Sequence, residues 1–347
     1  MVEVSVCIPV YNVARYLQQC IDSLLHQTLK NIELVFVNDA STDDSLDILL
    51  KNQSLHPEKI KVIDSKVNRK LGSARNLGIA NASGKYIGFV DSDDFVAPFM
   101  FETIFKEAER TSADAVFIQY TSVAEDTKYS TEIDWEELTP IILWDKRLTA
   151  MKGRILNDKD ICDLIALPIG GVYCGLYRRE MIMSSGVTFP EKLRYEDNYW
   201  LSLIKPCFRK VSFVDKVCYA YRYNPSSITH QRNQSFQIRD RIMIENKVLA
   251  ASIENGYFDC FYDAFEWCYT FRYAVNTFLL GVFNFDKPDI AAIRRLEKQL
   301  RVKFPKWYKN PYFRSQCSIK KRIKFFAIIY FPGISAKVLQ LKKISGR

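Results

Sequence analysis

The 347-residue sequence lacks the residue patterns of several common metal and disulfide sites. It has only three histidines (His26, His56 and His230), and its nine cysteines contain no C-x-x-C pair. A histidine-rich metal site is therefore excluded, and neither a zinc site nor a disulfide framework is expected. Most of the cysteines have apolar neighbours, so we expect small buried thiols in a reducing compartment.

Glycine-rich phosphate-binding motifs are also missing. No G-x-G-x-x-G follows the first apolar segment, and G-x-x-x-x-G-K-[ST] does not occur anywhere. The sequence thus contains neither a dinucleotide-binding fingerprint nor a P-loop. A diphosphate, if one binds, would have to be held by a metal ion and by cationic side chains.

Long apolar runs are absent as well. No stretch approaches the roughly 18 apolar residues of a spanning helix, and residues 1–8 lack the basic start of a signal peptide. We therefore expect a cytoplasmic protein.

Acidic residues are missing from the C-terminal segment. Residues 301–347 contain 13 Lys and Arg and no Asp or Glu, which leaves 36 basic and 40 acidic residues, a net charge of −4, for residues 1–300. Such asymmetry indicates a polyanionic partner. The basic cluster 320–324 precedes the apolar run 325–331, a combination that favours an anionic membrane surface. A helix docked on the protein body is the alternative, and nucleic acid is not expected because no recognised binding module surrounds the cluster.

The N-terminal hydrophobic pattern predicts a parallel sheet. Short apolar segments alternate with amphipathic helical segments, which is typical of strands joined by right-handed helical crossovers. In such sheets, ligands bind beyond the carboxyl ends of the strands. The predicted strands are 4–10, 32–37, 61–64 and 86–90, and the polar residues that follow them include Tyr11, Asp39, Asp91 and Asp93.

Three carboxylates within four residues follow the fourth predicted strand, in the segment Asp91-Ser92-Asp93-Asp94. Carboxylate oxygens suit Mg²⁺ or Mn²⁺ held together with a substrate phosphate. A solvated acidic turn is the alternative, because aspartate is common in turns. These carboxylates are expected at the same sheet edge as Tyr11 and Asp39, which favours a ligand-binding site over a solvated turn.

Four segments in this order resemble the inverting family 2 glycosyltransferases of bacterial polysaccharide or oligosaccharide synthesis. The resemblance covers roughly residues 3–230 and implies the α/β GT-A fold, a Rossmann-like and mostly parallel sheet with flanking helices. A C-terminal helical region follows. The segments are Val6–Asn12, Val37–Asp43, Asn68 with Gly72–Gly78, and Val90–Asp94.

The resemblance implies a nucleotide-sugar donor, most often UDP-linked. Tyr11 would stack on the base, Asp39 would accept its N3–H, and Arg75 would lie near the base or the diphosphate. Asp91 would approach the ribose, and Asp93, with help from Asp91, would hold the Mn²⁺ or Mg²⁺ that bridges the phosphates. Further donor-binding candidates are Pro9, Val10, Asn68 and Ser92.

Each of these assignments has a structural alternative. Tyr11 could be a core aromatic residue at a strand end, and Asp39 could cap the next helix. Arg75 could pair with a surface carboxylate.

The later segments of the resemblance imply a general base that accepts the proton of the acceptor hydroxyl. Asp197 would be the general base with Glu196 as its neighbour, and an adjacent carboxylate can raise the pKa of a base. The alternative is an acidic pair favoured by a helix N-terminus. Arg222 and His230 are expected to neutralise leaving-group charge. Tyr173 and Gly175 stand where the family usually has Trp and Lys, which puts the contacts of those side chains in doubt.

Together these interpretations predict a metal-dependent inverting hexosyltransferase acting on a glycan or lipid-linked saccharide, peripheral at the inner face of the cytoplasmic membrane. The alternatives are a nucleotidyltransferase and a non-catalytic sugar- or nucleic-acid-binding protein. The predicted segments are a nucleotide-sugar-binding half (residues 1–115), an acceptor-binding half (116–232) and a helical region with a basic tail (233–347).

Overall fold

A computed structural model describes residues 1–224, 235–283, 285 and 289–344. The chain divides into two compact units, residues 1–224 and 225–347. The predicted halves 1–115 and 116–232 contribute strands to the same sheet within the first unit. The predicted boundary at residue 232 lies outside the described residues.

The first unit contains eight strands and eight α-helices. The strands are β1 Val4–Val10, β2 Ile32–Asp39, β3 Ile60–Ser65, β4 Tyr86–Phe89, β5 Phe95–Val96, β6 Ala115–Val123, β7 Gly175–Arg178 and β8 Val211–Arg222. The helices are α1 Ala14–Leu25, α2 Ser45–Leu55, α3 Lys70–Asn81, α4 Met100–Thr111, α5 Lys146–Thr149, α6 Asp158–Ala166, α7 Arg179–Ser185 and α8 Glu196–Ile204. Short 3₁₀ turns occupy Val172–Cys174 and Lys205–Cys207.

All eight strands form one sheet in the order β3-β2-β1-β4-β7-β6-β8-β5. Strands β1 to β4 pair in parallel, as do β6 and β8. Strand β7 runs antiparallel to both β4 and β6, and β5 runs antiparallel to β8. The predicted α/β fold with a mostly parallel sheet is confirmed.

Burial explains why the first strands read as continuous apolar runs. Every residue of β1 is buried, and so is all of β2 except Glu33, as expected for strands covered by helices on both faces. Helix α3 approaches β1 closely at Gly78, where a Cβ atom would lie 2.9 Å from the Cβ of Cys7. This close packing fixes the position of α3, and therefore of its side chains, relative to the sheet.

The described residues of the second unit are mainly helical, as predicted for the segment after residue 237. Its α-helices are α9 Ser235–Glu254, α10 Tyr257–Cys260, α11 Tyr262–Cys268, α12 Thr277–Phe283, α13 Ile290–Lys303, α14 Pro311–Gln316, α15 Ile319–Tyr330 and α16 Pro332–Ile344. A π-helical segment, Tyr269–Asn276, joins α11 to α12, and Trp307–Lys309 forms a 3₁₀ turn. The aromatic side chains of Trp267, Phe271 and Phe325 stack on one another within this unit.

In the part of the chain that the structure describes, no single helix is long and apolar enough to cross a membrane. The segments Ile319–Tyr330 and Pro332–Leu341 meet that criterion of length and composition only when taken together, and they are bent by 119°.

Candidate active site

The carboxyl ends of β1, β2 and β4 meet at one edge of the sheet, as the sequence predicts. Val10 of β1 lies opposite Asn38 of β2, and Cys7 of β1 lies opposite Phe89 of β4, all in parallel register. Because parallel strands end at the same edge, the segments that follow these strands lie next to one another. This edge is the candidate active site.

Tyr11 and Asp39 both lie at this edge. The Tyr11 side chain is 52% exposed, so its alternative assignment as a core aromatic residue is wrong. Asp39 is buried and accepts a hydrogen bond from the Arg69 backbone N–H at 2.9 Å. Asp44, rather than Asp39, occupies the N-cap position of α2, so the capping alternative for Asp39 is also wrong.

The other predicted donor-binding residues of this edge have structural contacts of their own. The Asn68 side chain accepts from the Lys70 backbone N–H at 3.2 Å at the start of α3. Pro9, Val10 and Ser92 are buried, with Val10 in the main apolar cluster. Donor contacts of these four residues stay a prediction.

Asp94 holds the carboxylate loop in place. Its buried side chain accepts from the Tyr219 hydroxyl at 2.6 Å and from the Arg222 backbone N–H at 2.7 Å. The same Tyr219 hydroxyl accepts from the Asp91 backbone N–H at 3.1 Å. Asp94 therefore anchors the loop to β8, and Asp91 and Asp93 are the remaining carboxylates of the loop.

The chemistry of Asp91 and Asp93 fits a divalent cation. Burial and the neighbouring charge of Asp91 raise the pKa of Asp93 to about 6, although Arg222 and Asn224 lower it. A cation would relieve this repulsion, and Mg²⁺ and Mn²⁺ favour carboxylate oxygens. Within the described ranges, no group of three or more His, Cys, Asp or Glu side chains could hold a metal ion. A cation at this pair would therefore need water and substrate phosphate as further ligands.

Arg75 links the carboxylate loop to α8. Its buried guanidinium donates to Asp91 at 2.8 Å through Nη2 and to Glu196 through Nη1. The resemblance predicted a position near the base or the diphosphate, and the alternative was a surface ion pair. The structure shows a buried bridge between two carboxylates that are 105 residues apart in sequence, at positions 91 and 196. The surface ion pair is therefore wrong, and a position near the base or the diphosphate stays a prediction.

The remainder of the Gly72–Gly78 segment docks the loop that precedes α8. The Asn76 side-chain amide donates to the Phe189 carbonyl at 2.8 Å and accepts from the Phe189 N–H at 2.9 Å. At Gly72, a Cβ atom would lie only 2.3 Å from the Pro190 carbonyl oxygen. The motif therefore serves to bring α8 to the sheet edge. The sequence does not predict this role, since no local pattern at Gly72 or Asn76 identifies residues 189–190 as their partners.

The two acidic residues at the start of α8 have different environments. Glu196 is buried against Arg75, whereas Asp197 is partly exposed and accepts from the Asn198 N–H at 2.9 Å. Burial raises the pKa of Glu196, Arg75 opposes that rise, and the charge of Asp197 adds to it. Asp197 is thus the more accessible member of the pair.

Backbone strain is concentrated in the segments that build this site. Six non-glycine residues in the described part of the chain have positive φ angles, and five of them lie in these segments. Such conformations cost of order 1–3 kcal/mol each and persist where the surrounding structure enforces them. The five residues are Asn12, Ala40, Lys70, Lys192 and Tyr195.

Arg222 supports the site from the interior. Its buried guanidinium donates to the carbonyl oxygens of Asp93 and Glu125, each at 2.9 Å, and to the Thr127 carbonyl. These bonds give Arg222 a structural role that the sequence did not predict, and its contact with a donor stays a prediction. His230 lies outside the described residues.

The two departures from the family pattern have structural explanations. The Tyr173 ring stacks on the Tyr219 ring at 4.5 Å between centroids, directly behind the hydroxyl that binds Asp94. At Gly175, a Cβ atom would lie 2.4 Å from the Tyr177 hydroxyl oxygen. A lysine at position 175 would therefore require the Tyr177 ring to move.

Residues 5–183, just over half of the chain, match the sequence model of the family described as Glycosyl transferase family 2. The chain belongs to this family. The resemblance read from the four sequence segments is thereby confirmed.

Among curated relatives, the uncharacterized glycosyltransferase EpsJ of Bacillus subtilis is 35% identical over 233 residues, which cover 65% of this chain and 62% of EpsJ. Among solved structures, residues 1–349 of S. aureus TarS in complex with UDP-GlcNAc align with a TM-score of 0.61 at 18% identity, covering 99% of this chain and 92% of that one. The mannosyltransferase PcManGT of Pyrobaculum calidifontis, in complex with GDP-Man and Mn²⁺, aligns with a TM-score of 0.52 at 16% identity, covering 98% and 87%. At these identities, the two structures show the shared fold.

Proposed function

We propose that this protein transfers a sugar, with inversion at the anomeric carbon, from a UDP-sugar to a hydroxyl group of a bacterial glycan or lipid-linked saccharide. The observation that carries the proposal is the Arg75 bridge. This bridge joins the loop of Asp91 and Asp93, whose carboxylates suit a metal ion bound to a diphosphate, to helix α8, which carries the separate and more accessible carboxylate of Asp197. A displacement reaction needs both groups at a defined separation.

The base of the donor nucleotide is proposed to bind at Tyr11 and Asp39. The exposed Tyr11 ring would stack on the base, and the Asp39 carboxylate would accept the N3–H of uracil. UDP and UDP-GlcNAc in the TarS complexes support this choice.

Asp91 and Asp93 would hold Mn²⁺ or Mg²⁺ against the diphosphate. When bound, such an ion supplies charge neutralisation for the departing diphosphate. The Mn²⁺ in the PcManGT complex supports a divalent cation.

Asp197 would carry out the proton transfer. Its carboxylate would take the proton of the acceptor hydroxyl as that oxygen attacks the anomeric carbon, opposite the bond to the diphosphate that breaks. An α-linked donor would then yield a β-glycoside. Glu196, held by Arg75, would position Asp197 rather than accept the proton.

The acceptor and the location are proposed from the charge distribution. A lipid-linked or polymeric acceptor at the inner face of the cytoplasmic membrane agrees with the 13 basic and no acidic residues in positions 301–347.

A thermal-shift series tests the donor proposal. UDP-sugars with Mn²⁺ should raise the melting temperature, whereas UDP-sugars with EDTA and GDP-sugars with Mn²⁺ should raise it less. Release of UDP from the stabilising donor should then be measured. Equal stabilisation with and without metal, or by GDP-sugars alone, would contradict the proposal.

A further inference from the structure

Helix α15 has one buried apolar face and a second apolar stripe that is partly exposed. Phe325, Ile328 and Ile329 are buried. In the second stripe, Ile319 is 72% and Ile323 64% exposed, whereas Phe326 and Tyr330 are less exposed because their rings lie near Trp307. At 3.6 residues per turn, the four residues of this stripe fall within about 60° of arc.

Helix α16 and the residue before it repeat the arrangement. Phe331, Ile334 and Leu341 are 60%, 65% and 66% exposed, and Val338 is also exposed. The three of these residues that lie within α16, Ile334, Val338 and Leu341, fall within about 60° of arc on one side of the helix, away from the buried Ala336. Two consecutive helices therefore each present an apolar stripe to solvent, and we call the two stripes together the tail stripe.

Basic side chains border the tail stripe. Lys320 and Lys324 are exposed on one flank of the α15 stripe, and Lys337 is exposed beside the α16 stripe. No acidic residue occurs between positions 301 and 347. An apolar stripe flanked by lysines is the pattern of helices that lie in the interface of an anionic bilayer.

The charges and the side-chain types favour a bilayer over other occupants. A second copy of the tail would bring like charges together, since it carries no carboxylates. Single-stranded nucleic acid stacks on aromatic rings, whereas most of the tail stripe is aliphatic. Helices of 12 and 13 residues are shorter than the roughly 20 residues needed to span a bilayer, so they would lie along its surface.

We propose that α15 and α16 form an interfacial anchor that binds an anionic lipid bilayer, with the tail stripe inserted among the acyl chains and the lysines at the headgroups. This inference rests on the proposed peripheral membrane location and assigns it to named side chains. Its physical basis is independent of the donor sugar.

Flotation of the full chain with lipid vesicles tests the anchor. The protein should float with vesicles of phosphatidylcholine containing 30% phosphatidylglycerol, and at least tenfold less with phosphatidylcholine alone. The double variant Ile323→Ser/Ile334→Ser should reduce binding to the anionic vesicles roughly tenfold or more, because it removes two inserted aliphatic side chains. Lys320→Gln/Lys324→Gln should reduce it several-fold and weaken its salt dependence.

The matched control is Leu50→Ser/Leu55→Ser, which alters two exposed leucines of α2 and should bind vesicles like the wild type. Circular dichroism should show equal helicity for all variants. UDP-sugar hydrolysis in solution is measured separately, so that failure of the donor proposal and failure of the anchor are distinguishable.

Absence of flotation with the anionic vesicles would overturn the proposal, as would equal binding by Ile323→Ser/Ile334→Ser and the wild type. A dimer in solution that this variant dissociates, without vesicle binding, would assign the tail stripe to a second copy of the chain instead.

Discussion

Replacing Arg75 with methionine tests the buried bridge most directly. The side chains of Arg75 and Glu196 are 3% and 4% exposed, whereas that of Asp91 is 24% exposed. Without Arg75, Asp91 can still be solvated, but Glu196 is left as a buried charge with no cation. Breaking a buried pair in this way costs about 3–5 kcal/mol, and we expect a loss of this size at pH 8.

The loss should depend on pH. Burial already raises the pKa of Glu196 in the presence of Arg75, and removal of the guanidinium raises it further. When the pKa of a carboxylic acid is higher in the folded than in the unfolded state, the folded protein becomes less stable as pH rises. The reason is that the unfolded state releases the proton at a lower pH than the folded state does. The penalty for Arg75→Met should therefore shrink towards acidic pH, by up to about 1.4 kcal/mol per pH unit.

The assay is urea-dependent hydrogen exchange of the amides in α3 and α8, which reports on the unit that contains the bridge. Arg15→Met is the matched control, because Arg15 pairs with Glu125 at 2.6 Å but is 69% exposed; it should cost less than about 1 kcal/mol. The double variant Arg75→Met/Glu196→Met should recover much of the loss, since a well-packed apolar pair can replace a buried ion pair. A cost below about 1 kcal/mol for Arg75→Met at pH 8, or a cost independent of pH, would refute this reasoning.

Three further predictions concern the carboxylates. Asp93→Asn should abolish Mn²⁺-dependent stabilisation by a UDP-sugar in a thermal-shift assay, and an unchanged shift would remove Asp93 from the metal role. Asp197→Asn should retain donor binding and lower transfer at least 100-fold, the lower end of what a positioned base contributes; a larger loss for Glu196→Gln than for Asp197→Asn would assign the base to Glu196. Glu297 is buried, no hydrogen-bond partner for it occurs among the described residues, and burial raises its pKa to about 8. Wild-type stability should therefore fall between about pH 5 and 8, and Glu297→Gln should remove roughly 2–4 kcal/mol of that fall, as measured by urea unfolding at both pH values.

Local sequence patterns predict the first half of the fold well. The strand predicted at 4–10 is observed as Val4–Val10, and that at 32–37 as Ile32–Asp39. Buried parallel strands are apolar along their whole length, so they stand out from the amphipathic helices between them. The site edge follows from this pattern, because parallel strands bring their carboxyl ends together.

The second half is less readable, because its pairing is not local. Strand β7 inserts between β4 and β6 although it lies more than 50 residues after β6 in sequence. Strand β5 has only two residues, Phe95 and Val96, and pairs antiparallel with β8. Neither short segment has the alternation or length that identifies a strand in a sequence.

By itself, the sequence determined the family, the parallel sheet and the residues at its edge, because strand periodicity and strand-end motifs are local properties of the chain. Only the tertiary structure decided which of these residues are buried, which are accessible and which contacts each of them makes. It sequestered Glu196 and left Asp197 accessible, turned Asp94 and Arg222 inward, and made Arg75 a bridge. These roles depend on burial and on partners more than 100 residues away, and such partners become neighbours only when the chain has folded.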